Sequence, residues 1–175
     1  MRSILLLMIL MVGFSGEYAV ARQPQEGHRR HGACCERYDL RKPDYFVVGD
    51  RVFFEGSEVE GATASGFEIL GDGYAKDSWN VYYCGSKIKG ASSNSFRMLG
   101  YGYAKDPWTV YYNGAKIDGA SSDSFTVLSD WYAKDAWTIY YDGKKIPGAS
   151  SDSFEVLGDG YARDRWEVYY FGRKL

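Results

Sequence analysis

Histidine is nearly missing from this chain: two residues in 175, His28 and His31, both upstream of the region where the sequence becomes regular. Histidine is the commonest general acid or base. Most serines and carboxylates of the regular region recur at equivalent positions, which suits structure better than the unique geometry that catalysis needs. No enzyme and no cofactor are expected. Charge of one sign is also lacking, with 21 basic and 23 acidic residues and a formal net charge of −2. A nucleic-acid-binding domain carries a clustered basic face, so nucleic acid is not an expected partner. Cysteine is scarce and odd in number: Cys34, Cys35 and Cys84. Adjacent cysteines rarely bridge each other, because the geometry is strained. A bridge from Cys34 or Cys35 to Cys84 would leave one thiol over, or available to a second chain. Zinc held by Cys34, Cys35 and His31 lacks the C-x₂₋₄-C spacing of structural sites. Long apolar runs are absent too: the longest, Ile4 to Phe14, is about eleven residues where a membrane-spanning helix needs roughly 20.

The first 21 residues read as a signal peptide, with Arg2 as a short positive region, the apolar run, and Ala19-Val20-Ala21 as the cleavage site. Residues 22–43 follow as a basic, flexible linker, with Arg22, Arg29, Arg30, Arg37, Arg41 and Lys42 against Glu26, Glu36 and Asp39. The protein is therefore expected to be exported (periplasmic, cell-surface or secreted), where disulfides persist. No transmembrane segment is expected.

From residue 44 to residue 175 the chain repeats itself. Tyr45, Tyr74, Tyr103, Tyr132 and Tyr161 open successive units at a constant spacing of 29 residues. No unit carries a 3.6-residue apolar period. β-Branched and aromatic residues are broken by Gly, Ser and Asp every few positions, the pattern of short antiparallel strands. Asn113-Gly114, between Thr109-Val110-Tyr111-Tyr112 and Ala115-Lys116-Ile117, predicts a two-residue type I′ turn. Asp142-Gly143 predicts another, and Glu55-Gly56, Cys84-Gly85 and Phe171-Gly172 keep only the glycine.

Such a turn fixes the register. Val110 then shares a face with Ile117, as do Val81 with Ile88, Ile139 with Ile146 and Val168 with Leu175. Tyr82, Tyr111, Tyr140 and Tyr169 occupy the opposite face, across from Lys87, Lys116, Lys145 and Lys174. The first unit departs, with Phe53 opposite Glu58. The Val–Ile face is expected to be buried; the Tyr–Lys face need not be. A further strand is expected at Phe-x-Val-Leu, as in Phe125-Thr126-Val127-Leu128. Trp79, Trp108, Trp137 and Trp166 sit in or beside a turn, and are expected to fold back and fill the space between units. Asp77, Asp106, Asp135 and Asp164 are expected to bond backbone amides of their own turns. Calcium ligation by these with Asp72 and Asp159 would need a denser acidic loop, so no metal is expected.

Hairpins this small are marginal alone, so the units must stack. The fold expected is all-β: tandem 29-residue units of short antiparallel hairpins forming an open, β-solenoid-like array. A small closed β-propeller is the alternative. Tyr-Ala-Lys-Asp-x-x-x-Val-Tyr-Tyr-x-Gly-x-Lys-Ile, followed by Gly-Ala and Ser-Phe-x-Val-Leu, resembles the bacterial DKNYY repeat family over residues 45–175. It departs where Ser-Trp, Pro-Trp, Ala-Trp and Arg-Trp follow the aspartate in place of Lys-Asn. The resemblance implies a secreted or envelope-associated bacterial protein and brings no catalytic residues. The function expected is a non-enzymatic structural or interaction module whose partner is unknown. The alternative is binding of a glycan or the cell envelope, or of another protein, through the Tyr–Lys ladder.

Overall fold

The computed structural model describes residues 45–129 and 131–175. The expected signal peptide and linker, both histidines, Cys34 and Cys35 lie outside the described residues. Among the described residues there is no α-helix; the one helical element is a 3₁₀ turn at Ser93–Ser95, and the rest is strands of two to four residues.

The first sheet is a three-stranded meander of β1 (Tyr45–Val48), β2 (Arg51–Phe54) and β3 (Ser57–Glu58). The second has four strands, β4 (Glu68–Gly71), β5 (Tyr74–Lys76), β6 (Val81–Tyr83) and β7 (Ser86–Lys87), each paired antiparallel with the next. Three more four-stranded sheets repeat this plan, at residues 97–116, 126–145 and 155–174. The Phe-x-Val-Leu strand thus pairs forward, Glu68 with Lys76 and Ile69 with Ala75, and bulges before Gly71 meets Tyr74. Each four-stranded sheet straddles a unit boundary drawn at the tyrosine, and the first sheet has no such strand before it among the described residues.

The hairpin register is the expected one: Tyr111 faces Lys116 and Tyr112 faces Ala115, with Tyr82–Lys87, Tyr140–Lys145, Tyr169–Lys174 and Phe53–Glu58 equivalent. All five turns are type I′, with φ of 46–52° at the first position and 72–83° at the glycine. Glu55, Cys84 and Phe171 adopt the same left-handed backbone as Asn113 and Asp142, because the ladders on either side demand it.

The sheets lie face to face. Tyr74, Val81 and Ile88 on one face of the second sheet pack against Ala104 and Tyr111 of the third, with Phe96 from the intervening connection between them. Phe96 sits between the two tyrosines, 5.6 Å from Tyr74 and 5.4 Å from Tyr111. Phe67, Phe125 and Phe154 do the same at the other three junctions. Aromatic pairs of this kind add about 0.5–1.5 kcal/mol beyond the area they bury. Hydroxyls lock the layers as well: Tyr74 donates to the Gly102 carbonyl at 3.2 Å and accepts from the Gly114 amide at 2.8 Å. Tyr45, Tyr103 and Tyr132 make the same two bonds one layer along. Five sheets joined by four cores, with Phe46, Val47 and Val48 exposed at one end and Tyr161, Val168 and Leu175 at the other, make an open array rather than a closed propeller.

The Val–Ile face of the inner layers is buried as expected, and the stacking buries the tyrosines of the opposite face as well. Tyr82, Tyr111, Tyr140 and Tyr169 are buried, while Lys87, Lys116, Lys145 and Lys174 are exposed at the rim. The inner layers are covered on both faces, so alternation along a strand does not separate inside from outside. The tyrosines cannot serve as a stacking ladder for a ligand.

Candidate functional site

The loop joining the second and third strands of each four-stranded sheet is built around one aspartate. Asp135 Oδ1 accepts from the amides of Trp137 and Thr138 at 2.9 and 2.8 Å. Its Oδ2 accepts from the Ser121 amide at 2.9 Å and from the Tyr140 hydroxyl at 2.8 Å. The same four bonds recur at Asp77, Asp106 and Asp164. The expectation that these aspartates bond their own turns is met. Beyond it, one oxygen of each reaches the preceding connection and the tyrosine of its own sheet. The first sheet has Val48 where the others have aspartate and Phe53 where they have the partner tyrosine, so donor and acceptor are missing together.

Burial by itself pushes the Asp77 carboxyl up, but the amides of Thr63, Trp79 and Asn80 and the Tyr82 hydroxyl more than reverse this, and it sits at about 2. The same balance holds Asp106, Asp135 and Asp164 below the ordinary carboxylate range. Burial, then the bond to the aspartate, pushes Tyr111 and Tyr169 up to about 12. A carboxyl depressed on folding stabilises fully above its unfolded value near 3.9, and that contribution is lost as the pH falls through the folded value. A phenol raised on folding stabilises fully below its unfolded value near 10, and that is lost as the pH rises. The urea midpoint should therefore be level between about pH 5 and pH 9 and fall steeply on both sides. A midpoint that held steady from about pH 4 down to about pH 2 would contradict the aspartate geometry.

The frame holds a tryptophan outward. Trp79, Trp108, Trp137 and Trp166 are 79%, 84%, 84% and 74% exposed. They do not fold back over the neighbouring unit, which corrects the expectation drawn from their size. The space between layers is already filled by the two tyrosines and the phenylalanine. The loop's tip, one residue past the aspartate's own neighbour, points away from it. These are the residues that sequence reasoning missed. The available signal was an Asp-x-Trp motif inside a tight turn, flanked by small or polar residues.

The four indoles share one edge. Ser93 Oγ donates to the Asp77 carbonyl, while the adjacent Ser92 amide donates to Asp106 Oδ2 at 3.1 Å. Two neighbouring residues of one connection thus tie the Trp79 loop to the Trp108 loop. Ser121 and Ser122 tie Asp106 to Asp135, and Ser150 and Ser151 tie Asp135 to Asp164. The serines of the Gly-Ala-Ser-Ser connection are therefore the braces of this edge. Elsewhere, Cys84 is disulfide-bonded at the first position of its turn, and the other cysteines lie outside the described residues. No cluster of three metal-ligating side chains occurs among the described residues. No helix among them is long and apolar enough to cross a membrane.

These features define a class: an open stack of small antiparallel sheets, in which each four-stranded layer is braced by an aspartate and bears one exposed tryptophan along one edge. The chain belongs to the DKNYY family, whose model matches residues 45–173. Comparison with curated proteins and with solved structures gives no match.

Proposed function

We propose that this chain is an exported, non-enzymatic interaction module and that the tryptophan edge is its binding surface. The observation that carries this reading is the exposure of four equivalent indoles in an array whose inner tyrosines and connection phenylalanines are packed between layers. Exposed apolar residues scattered singly need no explanation; the same ring held outward in four successive layers does. Tryptophan is enriched at interaction surfaces and supplies a large, flat contact with few rotatable bonds. The disulfide at Cys84 supports export, because such bonds persist in oxidising compartments. The repetition of the loop aspartates and of the connection serines supports a structural rather than a catalytic use of them.

Replacing Trp79, Trp108, Trp137 and Trp166 together by alanine tests this. Their side chains bury little, so the urea midpoint should stay close to that of the parent chain, each change contributing within about 0.5 kcal/mol. Retention of the protein on isolated bacterial envelopes should be lost. Equal retention of parent and fourfold variant would refute the assignment.

A further inference from the structure

We propose that the tryptophan edge takes a neutral β-1,4-linked polysaccharide chain, with the indoles stacking on the apolar faces of sugar rings along it. This rests on the reading of the edge as the binding surface and names its ligand.

The first argument is periodicity. One Ser-Ser brace separates each tryptophan loop from the next, through the Ser93–Asp77 and Ser92–Asp106 bonds and their two counterparts. Sheets packed face to face lie about 10 Å apart, so the indoles recur on roughly the scale of a disaccharide. A ligand that engages several of them must itself repeat on that scale and present a flat apolar patch at each step. A β-1,4-linked pyranose chain does both, since the axial C–H groups of each ring make an apolar face and its orientation recurs every second sugar.

The second argument is charge. The residues flanking the first three indoles are Ser78 and Asn80, Pro107 and Thr109, Ala136 and Thr138, none of them charged. Next to the Trp108 loop, a groove that reaches Pro107 sets Arg97 and Lys105 against Asp106 and Asp123, so its charges balance. Single-stranded nucleic acid is bound by aromatic platforms set in a positive groove, and anionic membranes by aromatic faces bordered with lysine and arginine. The edge has the aromatic half of each and lacks the cationic half. A neutral polymer is the chain that needs only the first. The last layer differs: Arg165 lies over Trp166 at 6.0 Å, with Glu167 on its other side in sequence, so that ring is already partly engaged.

The third argument is rigidity. The amide of each tryptophan is itself bonded to its aspartate, so the backbone beneath the ring is set before any ligand arrives. Preorganisation of this kind lowers the entropic cost of binding.

The test uses the full chain with insoluble cellulose and chitin as probes, beside phosphatidylcholine vesicles and vesicles containing phosphatidylglycerol. The parent protein should be depleted from solution by cellulose or chitin, be released by soluble β-1,4-linked oligosaccharide, and ignore both vesicles. Trp79→Ala, Trp108→Ala and Trp137→Ala should each weaken binding roughly tenfold, the scale of one lost aromatic anchor. Trp166→Ala should weaken it less. Binding unchanged in the triple variant overturns the proposal, as does capture by vesicles through the same tryptophans. If the tryptophan variants lose envelope retention while the parent ignores cellulose and chitin, the edge remains the binding surface and only the ligand class is wrong. If envelope retention survives their removal, the reading beneath fails as well.

Discussion

Asp135→Ala should destabilise the array by on the order of 4–5 kcal/mol, among the largest effects a single substitution can have. The carboxylate is buried and accepts four hydrogen bonds, from the amides of Ser121, Trp137 and Thr138 and from the Tyr140 hydroxyl. Alanine would leave three amides and a phenol facing a hole too small to hydrate them all. Each stranded polar group costs about 1–3 kcal/mol. The loss also falls on a junction, since Ser121 belongs to the connection between the third and fourth sheets. In a stack where each layer touches only its neighbours, weakening one junction divides the cooperative unit. Urea unfolding should therefore show a lower midpoint together with a shallower or split transition. Asp135→Asn keeps one acceptor oxygen and should fall between the two. A single transition with the parent's midpoint in Asp135→Ala would show that the four bonds contribute little.

Gly143→Ala should cost about 3 kcal/mol or more, through left-handed strain and a clash. Gly143 has φ of +73°, and a Cβ placed there would lie 2.5 Å from the Tyr112 ring of the preceding layer. That ring is fixed from two sides, by its packing 4.6 Å from Tyr103 and by the bond from its hydroxyl to Asp142. The Gly143 amide also donates to Tyr103 Oη at 3.0 Å, so the turn cannot retreat without breaking a bond between layers. Gly148 is the control. Its φ is +77°, yet nothing lies within 4 Å of a Cβ there. Gly148→Ala carries only the backbone strain, about 1 kcal/mol. Thermal or urea midpoints for the two variants separate strain from clash. Equal losses would mean that the layers are not in the close contact described.

The same two sites show why some of this protein could be read from its residues and some could not. The I′ turn at Asp142-Gly143 is specified by two adjacent residues that tolerate φ > 0, and the register beyond it follows by counting. The bond from Asp135 to the amides of Trp137 and Thr138 spans two and three residues, and a short acidic side chain makes it wherever it begins a tight turn. Both are local, and both were legible. Tyr140 was not. The register puts it on the face that need not be buried, while its partner, Asp135, is expected to bond the backbone of its own loop. One clue lay in the first unit, where Val48 and Phe53 replace the aspartate and the tyrosine together. The tryptophans were misread for the complementary reason. Size argues for the core, but the core between layers was already occupied by Tyr103, Phe125 and Tyr140, drawn from three separate stretches of chain.

The sequence by itself determined the 29-residue period, the all-β hairpins, their turns and registers, and the need of each unit for a neighbour. These depend on backbone dihedrals and on residues within a few positions of one another. The tertiary structure alone decided that the tyrosine side of the inner hairpins is closed to water as well. That choice depends on bonds such as Tyr74 to Gly102 and Gly114, 28 and 40 residues away, made only once the layers are stacked. Stacking buries both faces of the inner sheets, leaves the loop tips as free surface, and places the tryptophans there.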